Sequence, residues 1–198
     1  TPQSYDQQFV DDSHKRTRTE REVRILGNLL SRTGHVNAIL NVPCGGGRLS
    51  QPLAQACSLL VEADVALPQV RFAREHGDYS EVSQAAWMTS SAFHLPCVDR
   101  GFDGVVCARL IHHFSEPEDH RRLLAELCRV AKQFVIVSFN DSFSVKSISR
   151  RLRGRHNPHT LNGALIDEMV RPHGFVLRTA PAVSPLGSRH RYALLTRG

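Results

Sequence analysis

The chain has 198 residues, 41% of them hydrophobic, and 25 Lys and Arg against 19 Asp and Glu give it a formal charge of +6. That length supports one domain with a sizeable core and is too short for two generous ones, and no apolar run approaches the ~20 residues that span a bilayer. The positive balance favours an anionic partner at long range without identifying one.

The N-terminal stretch TPQSYDQQFVDDSHKRTRTE lacks the apolar segment of a secretion signal. It also lacks an initiator Met, which fits a processed chain or a piece of a longer one. Cys44, Cys57, Cys97, Cys107 and Cys128 are an odd number with no tight pairing, so reduced thiols and a cytoplasmic location are expected. A charged helix is predicted over residues 13–32, with Val23, Ile25, Leu26, Leu29 and Leu30 as its apolar face and Gly34 ending it.

Residues 38–43 read as the first strand, followed by Gly45, Gly46 and Gly47 and a helical pattern over residues 48–56. Strand, glycine turn and helix describe the ligand-binding edge of a Rossmann-like sheet. Glycine permits positive φ and close approach of a ligand to the backbone. A phosphate-cradling GxGxxG is disfavoured, because its third glycine would fall at Ser50. Residues 59–63 read as the second strand, ending at Asp64, where a carboxylate can accept hydrogen bonds from ribose hydroxyls or begin the next helix.

A helix is expected over 67–76 with Gly77 after it, a third strand over 85–89, and a loop containing Pro96 and Gly101. Residues 102–108 form the fourth strand. A helix opens at Glu116 and Pro117 and runs to Val130 with Leu123, Leu124, Leu127 and Val130 inward, and residues 133–139 form the fifth strand. Residues 140–160 are an irregular, basic insertion. A helix is then expected over 161–172, capped by Thr160 and ended by Gly174. Residues 175–180 and 190–196 read as two strands joined without a helix, so at least one must run antiparallel.

These residues resemble a class I S-adenosylmethionine-dependent methyltransferase, most of all the bacterial small-molecule group. The resemblance rests on Gly45 and Gly47 after strand one, Asp64 after strand two, LPCVDRGFDGVVCA with Leu95, Pro96, Phe102 and Asp103 in register, ARLIHHF, and LLAELCRVAKQFVIVSF. Asn41 and Pro43 stand where the family has an acid and a glycine, and Ser91 where it commonly has an acid near the adenine edge. The resemblance implies a Rossmann-like three-layer sandwich: a mostly parallel seven-stranded sheet with an antiparallel C-terminal strand. It implies an N-terminal helical segment over 1–35 and a methyltransferase domain over 36–198.

The cofactor implied is S-adenosylmethionine, leaving as S-adenosylhomocysteine, against Asn41, Pro43, Cys44, Gly45, Gly47, Asp64, Val65, Ser91, Ala92, Phe93 and Ala108. The acceptor implied is a small molecule, with an anionic one as an option, near Arg109, His112, His113, Phe139, Phe143 and His156. An imidazole at His112 or His113 could take a proton from a hydroxyl or amine acceptor. Alternative readings are an RNA methyltransferase using Arg150, Arg151, Arg153 and Arg155, and a catalytically silent partner protein. No metal is expected: His156 and His159 are three apart, but Pro158 lies between them and no acid pair or Cys set completes a geometry. The oligomeric state and the acceptor are not legible.

Overall fold

The computed structural model describes residues 13–143, 160–184 and 188–198. Its elements are α1 Ser13–Leu30, β1 Val36–Asn41, α2 Ser50–Ala54, β2 Cys57–Asp64, α3 Leu67–His76 and β3 Gln84–Thr89, then β4 Phe102–Cys107, α4 Pro117–Val130, β5 Ala131–Asn140, α5 Gly163–Val170, β6 Phe175–Thr179 and β7 His190–Arg197. Short 3-10 turns occupy Ile111–His113 and Arg171–His173. The sheet has seven strands in the order β3-β2-β1-β4-β5-β7-β6, flanked by helices. Pairs β1/β2, β2/β3 and β4/β5 are parallel, and β7 is antiparallel to both β5 and β6. The expected mixed sheet with an antiparallel C-terminal strand is therefore found.

The chain forms two compact units, Thr1–Ser91 and Ala92–Gly198. In the first, Ile39, Leu40 and Leu60 are fully buried. They come from the apolar runs of β1 and β2, which read as near-continuous because a parallel strand is covered on both faces. Helix α1 packs on α2; of its predicted apolar face Leu26, Leu29 and Leu30 are buried, whereas Val23 and Ile25 are half-buried. Its buried Glu22 was not expected; the Arg18 guanidinium donates to it at 3.2 Å. Helix α3 has the predicted bounds. Gly34 and Gly174 take φ of +74° and +77°, which is why the chain turns there after a helix.

In the second unit, Leu123, Leu124, Leu127 and Val130 of α4 are all fully buried. Each contributes about 1.5–3 kcal/mol relative to exposure. Several predicted boundaries shift: the strands over 38–43, 59–63 and 133–139 become Val36–Asn41, Cys57–Asp64 and Ala131–Asn140, and the helix over 161–172 becomes Gly163–Val170. The helix over 48–56 shrinks to Ser50–Ala54, because residues 42–49 are spent on turns and β2 already begins at Cys57. The cap of α5 is Asn162, not Thr160: its Oδ1 accepts the Leu165 N–H at 2.8 Å. The insertion's residues 144–159, with His156, His159 and the four arginines, lie outside the described residues.

Candidate functional site

In the first unit the chain leaves β1 at Asn41 and turns back into α2 through two left-handed glycines, Gly45 at φ +53° and Gly47 at φ +80°. The Cys44 N–H donates to Ala63 O at 2.7 Å, which ties the turn to the end of β2. The two glycines differ in surroundings. A Cβ on Gly45 would meet nothing within 4 Å, whereas one on Gly47 would meet the Cα atoms of Gly77 and Ala73 at 3.1 and 3.3 Å. Gly45 therefore borders open space, and Gly47 lets α3 close on the turn.

Asp64 ends β2 and is nearly buried. Its Oδ2 accepts the Gly45 N–H at 3.0 Å and its Oδ1 accepts the Ala66 N–H at 2.9 Å. The second bond closes an Asx turn, and the N-cap of α3 is Ala66, so the bland alternative of Asp64 as the cap is not what the backbone uses. The carboxylate is held against the glycine turn with lone pairs left for further donors. Val65 is 72% exposed beside it. Ser91, the last residue of this unit, is half-buried.

Behind the turn lies a polar cluster that sequence reasoning missed. Glu62 is fully buried on β2. Asn41 Nδ2 donates to its Oε2 at 2.6 Å, and the Ser50 hydroxyl donates to its Oε1 at 2.5 Å. The Tyr79 hydroxyl lies 3.4 Å from Ser50 Oγ, donates to Ala73 O at 2.9 Å and accepts from Trp87 Nε1 at 3.2 Å. Burial pushes the Glu62 carboxyl up to about 7, against the opposing pull of its Ser50 and Asn41 bonds. The one available signal was the acid itself, set within an otherwise apolar strand.

In the second unit, Arg109 follows β4 with φ +60°, and its N–H donates to Ser138 Oγ at 2.6 Å. That bond fixes the bend leading into Ile111–His113. His112 is half-buried and His113 exposed. The His112 ring lies 4.6 Å from His113 and 5.8 Å, edge-on, from His190, which in turn meets Tyr192 at 5.5 Å. His190 and Tyr192 pair with Asn140 and Ser138 across β5 and β7. Neither was singled out from sequence, although alternation on β7 places both on one face.

Phe93 packs edge-on against Phe114 at 5.0 Å, and Ala92 and Ala108 are buried. Phe139 is fully buried in the core, so it does not present the open apolar wall expected of an acceptor contact; Phe143 is 66% exposed. Asp141 accepts from Arg191 Nε at 2.6 Å and from the Phe143 N–H at 3.0 Å, bracing the end of β5. No group of three or more His, Cys, Asp or Glu among the described residues is arranged to hold a metal ion.

A mostly parallel sheet closed by an inserted antiparallel strand, with a left-handed glycine turn after β1 and an acid at the end of β2, is the architecture of class I methyltransferases. Residues 39–133 match the family model described as a methyltransferase domain. That stretch is just under half of the chain, and the fold around it is the one class I S-adenosylmethionine-dependent methyltransferases share. It is 30% identical over 115 residues to the mitochondrial ubiquinone biosynthesis O-methyltransferase of Arabidopsis thaliana, a match covering 58% of this chain and 33% of that protein. It is 31% identical over 103 residues to the ubiquinone biosynthesis O-methyltransferase of Xanthomonas oryzae, covering 52% of this chain and 43% of that one. The matches thus span less than half of those relatives.

Among solved structures, magnesium protoporphyrin IX methyltransferase from Synechocystis with bound S-adenosylhomocysteine superposes with a TM-score of 0.77 at 18% identity, covering 94% of this chain and 88% of that one. A methyltransferase from Aquifex aeolicus gives 0.69 at 17% identity, covering 100% and 99%. At these identities the likeness is one of fold.

Proposed function

We propose that this protein binds S-adenosylmethionine and transfers its methyl group to an oxygen of a small-molecule acceptor. The observation that carries the reading is the Gly45 turn: a left-handed backbone bordering open space, whose N–H fixes the Asp64 carboxylate beside it. The matched methyltransferase domain and the O-methyltransferase relatives support it. The residues present fit such a ligand on two counts. Gly45 leaves room against its backbone, and Asn41 Oδ1 is a buried acceptor with no hydrogen-bond partner among the described residues.

In this reading Asn41, Pro43, Cys44, Gly45, Gly47, Asp64, Val65 and Ser91 of the first unit hold the donor. When bound, the sulfonium supplies an electrophilic methyl group and departs as a neutral thioether, so no acid is needed to release it. The protein's task is to hold the acceptor in line, which contributes up to roughly 7–11 kcal/mol in favourable cases. A base matters only for an acceptor still protonated at attack. His112 is the better candidate for that base, because its half-buried ring is held between His113 and His190, and Arg109 would meet an anionic acceptor.

Titration calorimetry with S-adenosylmethionine and S-adenosylhomocysteine tests the donor half. Binding of neither would favour a silent partner protein. For the acceptor half, His112→Ala is expected to lower kcat about a hundredfold on a hydroxylated acceptor, the lower end of general-base contributions. Full turnover in both His112→Ala and His113→Ala would remove the histidines from the chemistry. One observation favours a second reading: a probable tRNA methyltransferase 9B from Bos taurus is 33% identical over 92 residues, covering 46% of this chain and 18% of that protein. Salt-dependent RNA binding distinguishes the two.

A further inference from the structure

A small cavity opens in the second unit where the loop before β4 meets the end of α4 and the end of β7. It measures about 200 Å³ and is lined by Asp99, Arg100, Cys128, Arg129, His173 and Arg197. Three guanidiniums thus share the lining with one carboxylate. Part of that charge serves the fold. Arg129 spends its nitrogens on Asp99, Glu126 and the carbonyls of Leu95 and Cys97. Arg197 donates to the carbonyls of Ala131, Lys132 and His173 at 2.9, 3.0 and 3.3 Å, closing backbone groups that the end of α4 leaves open. That brace uses three of its five N–H donors and, among the described residues, no carboxylate, so two donors and the full charge remain.

Arg100 has no such duty. Its backbone N–H donates to Arg129 O at 2.8 Å, but among the described residues its guanidinium makes no hydrogen bond and no ion pair. It also stands at φ +55°, a left-handed backbone that side chains with a β-carbon rarely adopt and a glycine would carry freely. An arginine kept in a strained turn with its charged end unspent points to a ligand. The unspent donors come from three directions: Arg100 before β4, the His173 ring before β6, and Arg197 at the end of β7. A planar carboxylate is satisfied by one fork. A phosphate monoester offers three oxygens and close to two charges, matching the two guanidiniums that no carboxylate neutralises. The volume is below the ~300–1,000 Å³ of pockets that enclose a drug-sized ligand, so it takes a phosphate and leaves the rest of the molecule outside.

We infer that this cavity binds the phosphate of a small phosphate monoester, held by the Arg100 guanidinium, the two remaining N–H groups of Arg197 and the His173 ring. Strand β4 has six residues, so about 20 Å separates the cavity from the Arg109–His113 bend at the other end of that strand. That distance makes it a second ligand site and not a subsite for an acceptor held at His112. S-adenosylmethionine carries no phosphate, so the site neither needs the donor reading nor falls with it.

The test is calorimetry on the full chain at a constant ionic strength of about 0.15 M, where diffuse attraction is largely screened. The probes are ribose 5-phosphate, inorganic phosphate and ribose. The wild-type chain should bind ribose 5-phosphate saturably and ribose not at all, with inorganic phosphate competing for the same site. Arg100→Gln removes a guanidinium that the fold does not use; it should stay folded and bind ribose 5-phosphate about tenfold more weakly, the loss expected for one charge-assisted contact. Arg71→Gln removes the same charge from an exposed position on α3 and should bind as wild type does. Wild-type affinity in Arg100→Gln, or an equal loss in Arg71→Gln, would overturn the site. Inorganic phosphate bound without ribose 5-phosphate would mean an adventitious ion only and would overturn it too. The wild-type comparison needs no variant: a chain that does not bind ribose 5-phosphate, or binds ribose as tightly, rejects the site even if Arg100→Gln misfolds. A single-stranded RNA without terminal phosphates that displaces ribose 5-phosphate would reassign the cavity to a nucleic-acid backbone, against the inference.

Discussion

Gly45 and Gly47 share a left-handed backbone but not a consequence. Either would pay about 1–2 kcal/mol for a β-carbon in that region. Only at Gly47 does the new side chain also strike backbone, at Gly77 and Ala73. Gly47→Val should therefore lose about 2–5 kcal/mol of stability in urea titration, overpacking added to backbone strain. Gly45→Val should stay folded and lose donor affinity by calorimetry. A stable Gly47→Val, or a Gly45→Val that binds normally, would contradict the two surroundings. Glu62 allows a second prediction with a definite sign. Its folded carboxyl sits at about 7, above the ordinary 4.5, so the folded chain holds the proton more tightly than the unfolded one. Its stabilising effect is full below pH 4.5 and is lost as pH rises through about 7, a change of about 3 kcal/mol. Denaturant midpoints across that window should fall with pH in the wild type and flatten in Glu62→Gln. Midpoints with equal slopes in both would mean that the carboxyl titrates normally.

Among the elements, α4 does more than cover β4 and β5. Arg129 near its end donates to the carbonyls of Leu95 and Cys97 at 3.0 and 2.8 Å and pairs with Asp99 and Glu126. Glu126 also accepts the Leu95 N–H at 2.6 Å. The loop over 95–100 belongs to no strand, so beyond the Cys97 N–H to Leu95 O bond its backbone leans on this helix. Arg129→Ala should cost about 1–3 kcal/mol by stranding those carbonyls, and Arg129→Lys should not restore it, because a lone ammonium cannot reproduce the fork. Faster proteolysis within 95–100 is the expected readout; unchanged cleavage in Arg129→Ala would show the loop holds itself. These elements also show what the sequence could convey. Helix α3 was legible to the residue, since Gly77 and a polar stretch bracket it. Strand β2 was read too short, because Cys57 and Asp64 extend an apolar run with residues that look like loop. The α5 cap was missed by two positions: Thr160 and Asn162 are both good caps, and only the bond to Leu165 chooses between them.

At the scale of the molecule, the legible part of the candidate site was the part with local cause. Positive φ writes glycine at Gly45 and Gly47, and a strand end next to a turn writes an acid at Asp64. The Glu62 cluster joins residues 12, 21 and 29 positions apart, and the ring contact of His112 with His190 bridges β4's end to β7. Such contacts leave no mark in a local window; they follow from strand order, which sequence gives only as a class. Net charge is the one whole-chain property still to be assigned. Residues 150–155 hold Arg150, Arg151, Arg153 and Arg155, so replacing these four by Gln takes the formal charge from +6 to +2 (6 − 4). The residues proposed to hold the donor lie far from this segment in sequence, so that proposal needs none of its charge. The quadruple variant should bind S-adenosylhomocysteine within about twofold of wild type, a difference well under the 1.4 kcal/mol of a tenfold change. An RNA acceptor predicts something else: wild-type binding to a labelled RNA that weakens steeply between about 50 and 200 mM salt, with a shallower slope once four phosphate contacts are gone. Fluorescence anisotropy on both chains decides it. A flat, weak signal in each leaves the small-molecule acceptor standing, and a steep slope that the four substitutions flatten transfers the assignment to RNA.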